Sequence, residues 1–414
     1  MARLSFSAIL AVLAFLNLAS AAPTKAPLTL NAIRNPQYRP DGRLEYARAL
    51  AKWGGSIPDA LANYALSKTK GDTGVVSAQS FVHDREYLTP IGIGTPAQTL
   101  MLDLDTGSSD FWVYSSETDP TILGNRTRYV TADSSTSRLI PNSSWSIEYG
   151  DGSFAMGDAH LDTIHVGGIE VQDAVVETAK RVSDQMAADL ALNGIFGLAY
   201  GLGSEVTPRV PTVYQKMSPL LHRNVFTADL KFLADGTYQF GAIDHSKFTG
   251  DIHWTPLMAD AKFWQFDFSS FNVENSNTWY WYKWSAIADT GTSLMLMGND
   301  MVKYYYSRVK GATFNESTGL WVYPCSTVLP DFNFGLGNGS SNWTATVPGR
   351  FINYTVYDAG ATGGRHGHGV KCMGGIQGNG GANFSILGDV FLKAFYAIFD
   401  VAGRRVGFAD KPLN

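Results

Sequence analysis

The chain has 414 residues, too many for one ordinary domain and enough for two or three. Hydrophobic residues make up 45% and charged residues 17%, so a large core can be buried, while 42 Gly with frequent Tyr and Phe favour many short strands and turns. The formal charge is only −5, two cysteines in this length exclude a disulfide-dense scaffold, and no CxxC metal pattern occurs.

In chain order, Arg3, the apolar run AILAVLAFLNLA and the small residues ASAA at 19–22 have the three parts of a secretory signal, assigned to residues 1–21. The run is too short to span a bilayer. Residues 22–77 carry eight Lys and Arg against four Asp and Glu, a net +4, whereas the chain after them keeps 23 against 33, about −10. A basic segment joined to an acidic body suggests a pro-segment held by charge. Helical composition marks Ala47–Trp53 and Asp59–Leu66 within it. From about Ser80 the pattern is strand and turn: YLTPIGIG, TLMLDLD, SWSIEYG, HLDTIHVGG, GTYQFGAID, DIHWTPL and FWQFDFSSFNV are short runs broken by Gly, Asn, Asp or Pro. Helices are expected only around Pro211–Met217 and Asp300–Val309, the latter packed by Tyr304, Tyr305 and Tyr306. In the oxidising compartment a signal implies, Cys325 and Cys372 are expected to pair, closing a loop worth about 4 kcal/mol. Sequons stand at Asn125, Asn142, Asn315, Asn338, Asn342, Asn353 and Asn383. No hydrophobic tail suggests a lipid anchor.

One internal similarity has a long period: LDLDTGSSDFWV at 102–113 and AIADTGTSLMLM at 286–297, 184 residues apart. Leu100, Leu102 and Leu104 alternate with Met101, Asp103 and Asp105, so one strand face is apolar. A Gly then permits close backbone approach. An Asp at the end of a buried strand needs hydrogen bonds, which the hydroxyls of Thr106, Ser108 and Ser109 can supply. A single copy could be an Asx-turn. Two copies related by a pseudo-two-fold axis would bring Asp105 and Asp289 together, where one proton is shared. The charged member then serves as general base toward water while the protonated one polarises a carbonyl. Asp103 lacks the turn and is read as structural.

These motifs resemble those of the pepsin-family aspartic endopeptidases, and of the secreted fungal members in particular. DTGSSDFWV and ADTGTS are similar to the two active-site motifs, WSIEYGDGS to the flap hairpin, and NGIFGLAYG and ILGDVFLKAFYAIFDVAGRRVGFA to two further family stretches, from about Glu86 onward. The resemblance implies an all-β, bilobal fold with a few short helices, lobes at 78–255 and 256–414, and a cleft between them for an extended peptide. It makes Asp105 and Asp289 the catalytic pair, with Ser108 and Thr292 bonding their outer oxygens. Tyr149, oriented by Trp112, would close the flap with Gly150 and Asp151, and Asp151 goes with acceptance of Lys beside bulky hydrophobic residues at P1. Lys52, in ALAKWG, would reach the catalytic pair in the zymogen, although Trp53 replaces the more usual Tyr. The small disulfide loop of animal pepsins is missing where SSETDPTILG stands, which favours the fungal secreted subgroup over vacuolar relatives. Expected partners are protein or peptide substrates and pepstatin-type inhibitors. No cofactor, metal, nucleic acid or membrane anchor is expected, and the mature chain should be a monomer that leaves the cell.

Weaker signals are set aside. GIGTPA at 92–97 mimics a dinucleotide fingerprint, but Pro96 and a strand follow instead of a helix. The two His of RHGHG sit in a Gly-rich tract without a carboxylate partner, and neither HExxH nor GxSxG occurs. Two rivals remain: a catalytically silent binding or inhibitor protein on the same fold, and a secreted carbohydrate-binding β protein. The intact Asp-Thr-Gly pair and the basic pro-segment argue against both.

Overall fold

The alternation in TLMLDLD produces the strand that leads into the first motif. β3 (Gln98–Asp105) buries Leu100, Leu102 and Leu104 completely and ends on Asp105. The computed structural model describes residues 27–35, 41–69, 87–148, 153–187, 189–274, 278–336, 343–357 and 370–413. Around β3 the same local arrangement is built twice. Phe111–Tyr114 lies antiparallel to Gly194–Gly197, which inserts parallel to β3 with Asp105 opposite Gly197. In the second half Met295–Met297 lies antiparallel to Ser385–Leu387, which inserts parallel to Tyr280–Ala288. The inserted strands, Gly194–Gly197 in NGIFGLAYG and Ser385–Leu387 before GDVFLK, are buried along their whole length, as a strand enclosed between two others requires.

Strands dominate, with short helices between them, as expected. One fourteen-stranded sheet runs from Thr249–Pro256 through Arg405–Asp410, Phe395–Asp400, Val225–Lys231 and Ala234–Phe240 to β3 and onward to Phe154–Val166. It therefore draws strands from both sides of residue 255. Among the described residues seven strands form a second sheet and four a third, all from the second half of the chain. One large core cluster continues across both halves, while a smaller one gathers Trp112, Tyr114 and Trp145.

Three features differ from the sequence reading. β1 (Leu28–Arg34) is a strand in a segment expected to show only helices, and it pairs between Ala234–Phe240 and β2 (Tyr87–Ile93). Its alternating LTLNAIR has no partner of its own, so its strand character depends on edges supplied by the body. Phe154–Val166 continues well before HLDTIHV and pairs with Ile169–Val182, a 14-residue strand whose mixed IEVQDAVVETAKRV gives no clean period-2 signal. The helices are also longer than expected: α1 is Gly42–Lys52 and α2 is Asp59–Thr69. Asp41 caps α1, its carboxylate accepting from the backbone N–H of Arg43 at 3.1 Å and Leu44 at 3.3 Å. The Asp300–Val309 expectation corresponds to a helix over Asn299–Ser307 with Tyr305 and Tyr306 buried. Cys325 and Cys372 form a disulfide. Among the described residues no helix is long and apolar enough to cross a membrane.

Candidate active site

The two Asp-Thr-Gly turns meet at the centre of the molecule. Thr106 donates its hydroxyl to the Ala288 carbonyl at 2.9 Å and accepts the Thr290 N–H at 3.0 Å. In return Thr290 donates to the Leu104 carbonyl and accepts the Thr106 N–H at 3.1 Å. This reciprocal set is fully buried and locks the two strand ends together. The sequence pattern alone offers the Thr106 hydroxyl to its own Asp and does not single out Thr290. The signal was present, because the repeated motif carries Thr at the same position in both copies.

Locked this way, Asp105 and Asp289 come together, 2% and 0% exposed, each against the glycine turn of the other motif. The Gly107 N–H donates to Asp105 Oδ1 at 2.8 Å and the Gly291 N–H to Asp289 Oδ1 at 3.0 Å. Ser108 donates to Asp105 Oδ2 at 2.6 Å, and Thr292 donates to Asp289 Oδ2. Each carboxylate is thus held by one backbone and one hydroxyl donor. Gly is required at both turns: a Cβ on Gly107 would come within 2.5 Å of Asp289 Oδ1, and one on Gly291 within 2.2 Å of Asp105 Oδ1.

A cation from the N-terminal segment occupies the space between them. α1 packs Tyr46 and Leu50 into the core, each burial contributing about 1.5–3 kcal/mol, and its last turn points Lys52 at the dyad. Lys52 Nζ lies 2.9 Å from Asp105 Oδ1 and 3.0 Å from Asp289 Oδ2. Burial favours the neutral amine, but two facing carboxylates outweigh it and raise the Lys52 value. At Asp105 burial is the largest single influence and pushes upward, but the Lys52 charge and the hydrogen bonds to the carboxylate together outweigh it, leaving the carboxyl below its ordinary range. Asp289 is pushed up to about 6, by burial first, with Lys52 opposing and the Asp105 charge reinforcing it. Trp53 follows Lys52 into the site. Its indole N–H donates to Asp289 Oδ2 at 3.3 Å, and its ring meets Phe263 and Phe384 edge-on, with centroids 4.8 and 5.8 Å away. Neither Phe was foreseen, since they lie 121 residues apart in sequence and converge only in the fold.

The remaining expected residues divide. Trp112 is fully buried, stacked on Trp145, with its indole N–H unpartnered among the described residues. Tyr149, Gly150 and Asp151 lie outside the described residues, as do Asn338, Asn342 and the RHGHG tract. Asn125, Asn142 and Asn383 are exposed. Asn315 instead donates its amide to Tyr357 at 3.1 Å, and Asn353 accepts the Tyr323 hydroxyl at 2.6 Å. Asp103 has its carboxyl raised well above the usual range, by burial and then by the charge of Asp105.

Two Asp-Thr-Gly turns sharing one carboxyl pair inside a β-rich fold define an aspartic peptidase. The chain belongs to the eukaryotic aspartyl protease family, which it matches over residues 86–411, and it is an aspartic endopeptidase whose substrates are protein chains. It is 37% identical to endothiapepsin of Cryphonectria parasitica, covering 95% of this chain and 93% of that one. Identity to aspergillopepsin-1 of Aspergillus fumigatus is 38% over 98% and 99% of the two chains. For penicillopepsin-1 of Talaromyces stipitatus it is 39% over 91% and 90%.

Proposed function

We propose that this endopeptidase is made as a secreted zymogen, whose residues 22–77 block the cleft between halves 78–255 and 256–414 until acid releases them. The observation that carries the reading is the Lys52 ammonium lodged between Asp105 and Asp289. Because Lys52 lowers the Asp105 value, that contact contributes binding energy above the ordinary carboxylate range. The energy is lost as pH falls through the lowered value. Protonation of other carboxyls on the acidic body weakens the hold of the basic segment further.

Once Lys52 leaves, the two carboxyls share one proton, as like charges in contact must. The ionised member removes a proton from a water whose oxygen attacks the scissile carbonyl carbon, while the protonated member donates to the carbonyl oxygen. The tetrahedral intermediate collapses with proton transfer to the departing amine, and no covalent bond to the enzyme forms. Ser108 and Thr292 keep the outer oxygens engaged so that the inner pair faces the water. Tyr149, Gly150 and Asp151 close over the peptide, with Trp112 as their support, and exclude solvent. Bulky hydrophobic residues, and Lys through Asp151, are accepted at P1. The mature enzyme acts as a monomer, is inhibited by pepstatin and carries glycans at exposed sequons such as Asn125, Asn142 and Asn383.

The test is digestion of haemoglobin by the purified precursor across pH 2.5 to 7, with and without pepstatin, alongside Asp105→Asn and Asp289→Asn. Cleavage confined to acid, abolished by pepstatin and by either substitution, is the expected result. Retained cleavage in both variants would overturn the catalytic assignment. Precursor that is fully active at pH 7 without losing its N-terminal segment would overturn the zymogen reading.

A further inference from the structure

Lys52 and Trp53 lie against Asp105 and Asp289, yet together they make a bond that a peptidase accepting Lys at P1 would cut. Lys52 Nζ is paired with both carboxylates, and the Trp53 ring stands beside Asp289 with Phe263 and Phe384 at its edges. Such a segment serves as an inhibitor only if its backbone is kept off the extended course of a bound peptide.

The backbone of α1 supplies that restraint. Lys52 is the last helical residue and Trp53 the C-cap. The Gly54 N–H donates to the Ala51 carbonyl at 3.1 Å, and the Gly55 N–H donates to the Leu50 carbonyl at 2.7 Å. These two bonds, with Gly54 at a φ of +68°, form a Schellman helix stop. The chain is folded back just after Lys52–Trp53, where a strand-like substrate would run straight on.

Beyond the stop the segment is fastened to the body. The Ser56 N–H donates to the Gly380 carbonyl at 2.8 Å. Gly55 lies so close that a Cβ on it would come within 2.8 Å of the Asn379 carbonyl oxygen. Position 54 is different. Among the described residues, apart from its chain neighbours, nothing lies within 4 Å of where its Cβ would stand. Gly54 is therefore needed for its left-handed backbone and not for space. At the other end Asp41 caps the helix, while Tyr46 and Leu50 are buried in the core. Residues 41–56 are thus one braced piece that presents the Lys52 ammonium, and not a peptide carbonyl, to the carboxyl pair.

We propose, on the zymogen reading above, that Lys52–Trp53 is a latent self-cleavage site which the helix stop at Gly54–Gly55 holds in place as an inhibitor. Once the stop opens, residues 50–55 can extend and the bond is hydrolysed. Water adds at the Lys52 carbonyl carbon and the bond to the Trp53 nitrogen breaks. One hydrogen of the water stays with the new carboxyl group and the other goes to the departing amine. While the stop holds, activation must begin at another bond.

Full-length precursors carrying Gly54→Asn, Gly54→Ala and Gly54→Val are compared with wild type. Asn tolerates a left-handed φ, Ala does so less well, and a β-branched residue least. Calorimetry with pepstatin at pH 6 on intact precursor should give affinities that rise in that order, near wild type for Asn and about tenfold tighter for Val. After a shift to acid, mass spectrometry should find a Trp53 N-terminus first in the Val variant, and in wild type only after other cuts. Mature enzyme from all four keeps the wild-type kcat, because residue 54 has left with the segment. If the Val precursor does not accumulate, the comparison of Ala with Asn carries the same test. Equal pepstatin affinity across the series overturns the proposal. So does a wild-type precursor cut first between Lys52 and Trp53, or a Val precursor that opens and never yields a Trp53 N-terminus. A wild-type precursor that binds pepstatin as tightly as the mature enzyme defeats the zymogen reading itself, and this proposal with it.

Discussion

On the proposed zymogen reading, replacing Lys52 by Met removes the cation between Asp105 and Asp289 while keeping most of the length of the side chain. Breaking a buried ion pair from one side costs about 3–5 kcal/mol. Lys52 is 13% exposed at its side chain and its partners 3% and 0%, so the contact is properly buried. The lower end applies, because the carboxyls left behind can share a proton. About 3 kcal/mol is roughly two orders of magnitude in the population of precursor with an open cleft. A cleft ligand reads that population directly, since its apparent affinity scales with the open fraction. Pepstatin should therefore bind intact Lys52→Met precursor at pH 6 about 100-fold more tightly than intact wild-type precursor. Calorimetry would measure this, with gels confirming that the N-terminal segment is still attached. Lys283→Met is the internal control: Lys283 pairs with Asp267 at 3.3 Å and its side chain is 83% exposed. Such an exposed pair contributes about 0.2–1 kcal/mol and does not join the N-terminal segment to the body, so affinity should change by less than about fivefold. Equal effects from the two substitutions, or no change with Lys52→Met, would refute the reasoning that this one buried cation holds the cleft shut.

Thr290→Ala removes the acceptor for the Thr106 N–H and the donor to the Leu104 carbonyl, leaving two buried groups short of partners. A loss of about 2 kcal/mol in stability, with kcat lowered and the pH profile kept, is expected from denaturant unfolding and kinetics; wild-type stability would contradict it. Glu177 is 2% exposed beside Asp110, with Ser204 donating to it at 3.1 Å, and burial followed by the Asp110 charge raises its value well above normal. A carboxyl that holds its proton longer when folded adds stability that is complete below the unfolded value and disappears as pH rises through the folded one. Glu177→Gln should flatten the fall in melting temperature from acid toward pH 7 and leave acid stability nearly intact; an unchanged slope would assign that fall to other groups. Replacing Cys325 and Cys372 by Ser opens a loop with a sequence separation of 47 and should cost about 4 kcal/mol, read as a lower denaturation midpoint.

The sequence by itself determined the local chemistry. Alternating leucines fixed which face of β3 is buried, and Asp-Thr-Gly-Ser and Asp-Thr-Gly-Thr carried their own hydroxyl and backbone donors within three residues of each Asp. Such features depend on neighbours a few residues away, where periodicity and hydrogen-bond valence are decisive. Lys52 was legible only through its resemblance to the family's pro-segment, because its partners Asp105 and Asp289 lie 53 and 237 residues away. What only the tertiary structure decided depends on segments far apart in the chain. The Thr106–Thr290 lock needs two turns 184 residues apart. The Trp53 contacts need Phe263 and Phe384 brought to one place, and β1 becomes a strand because the body offers two open edges.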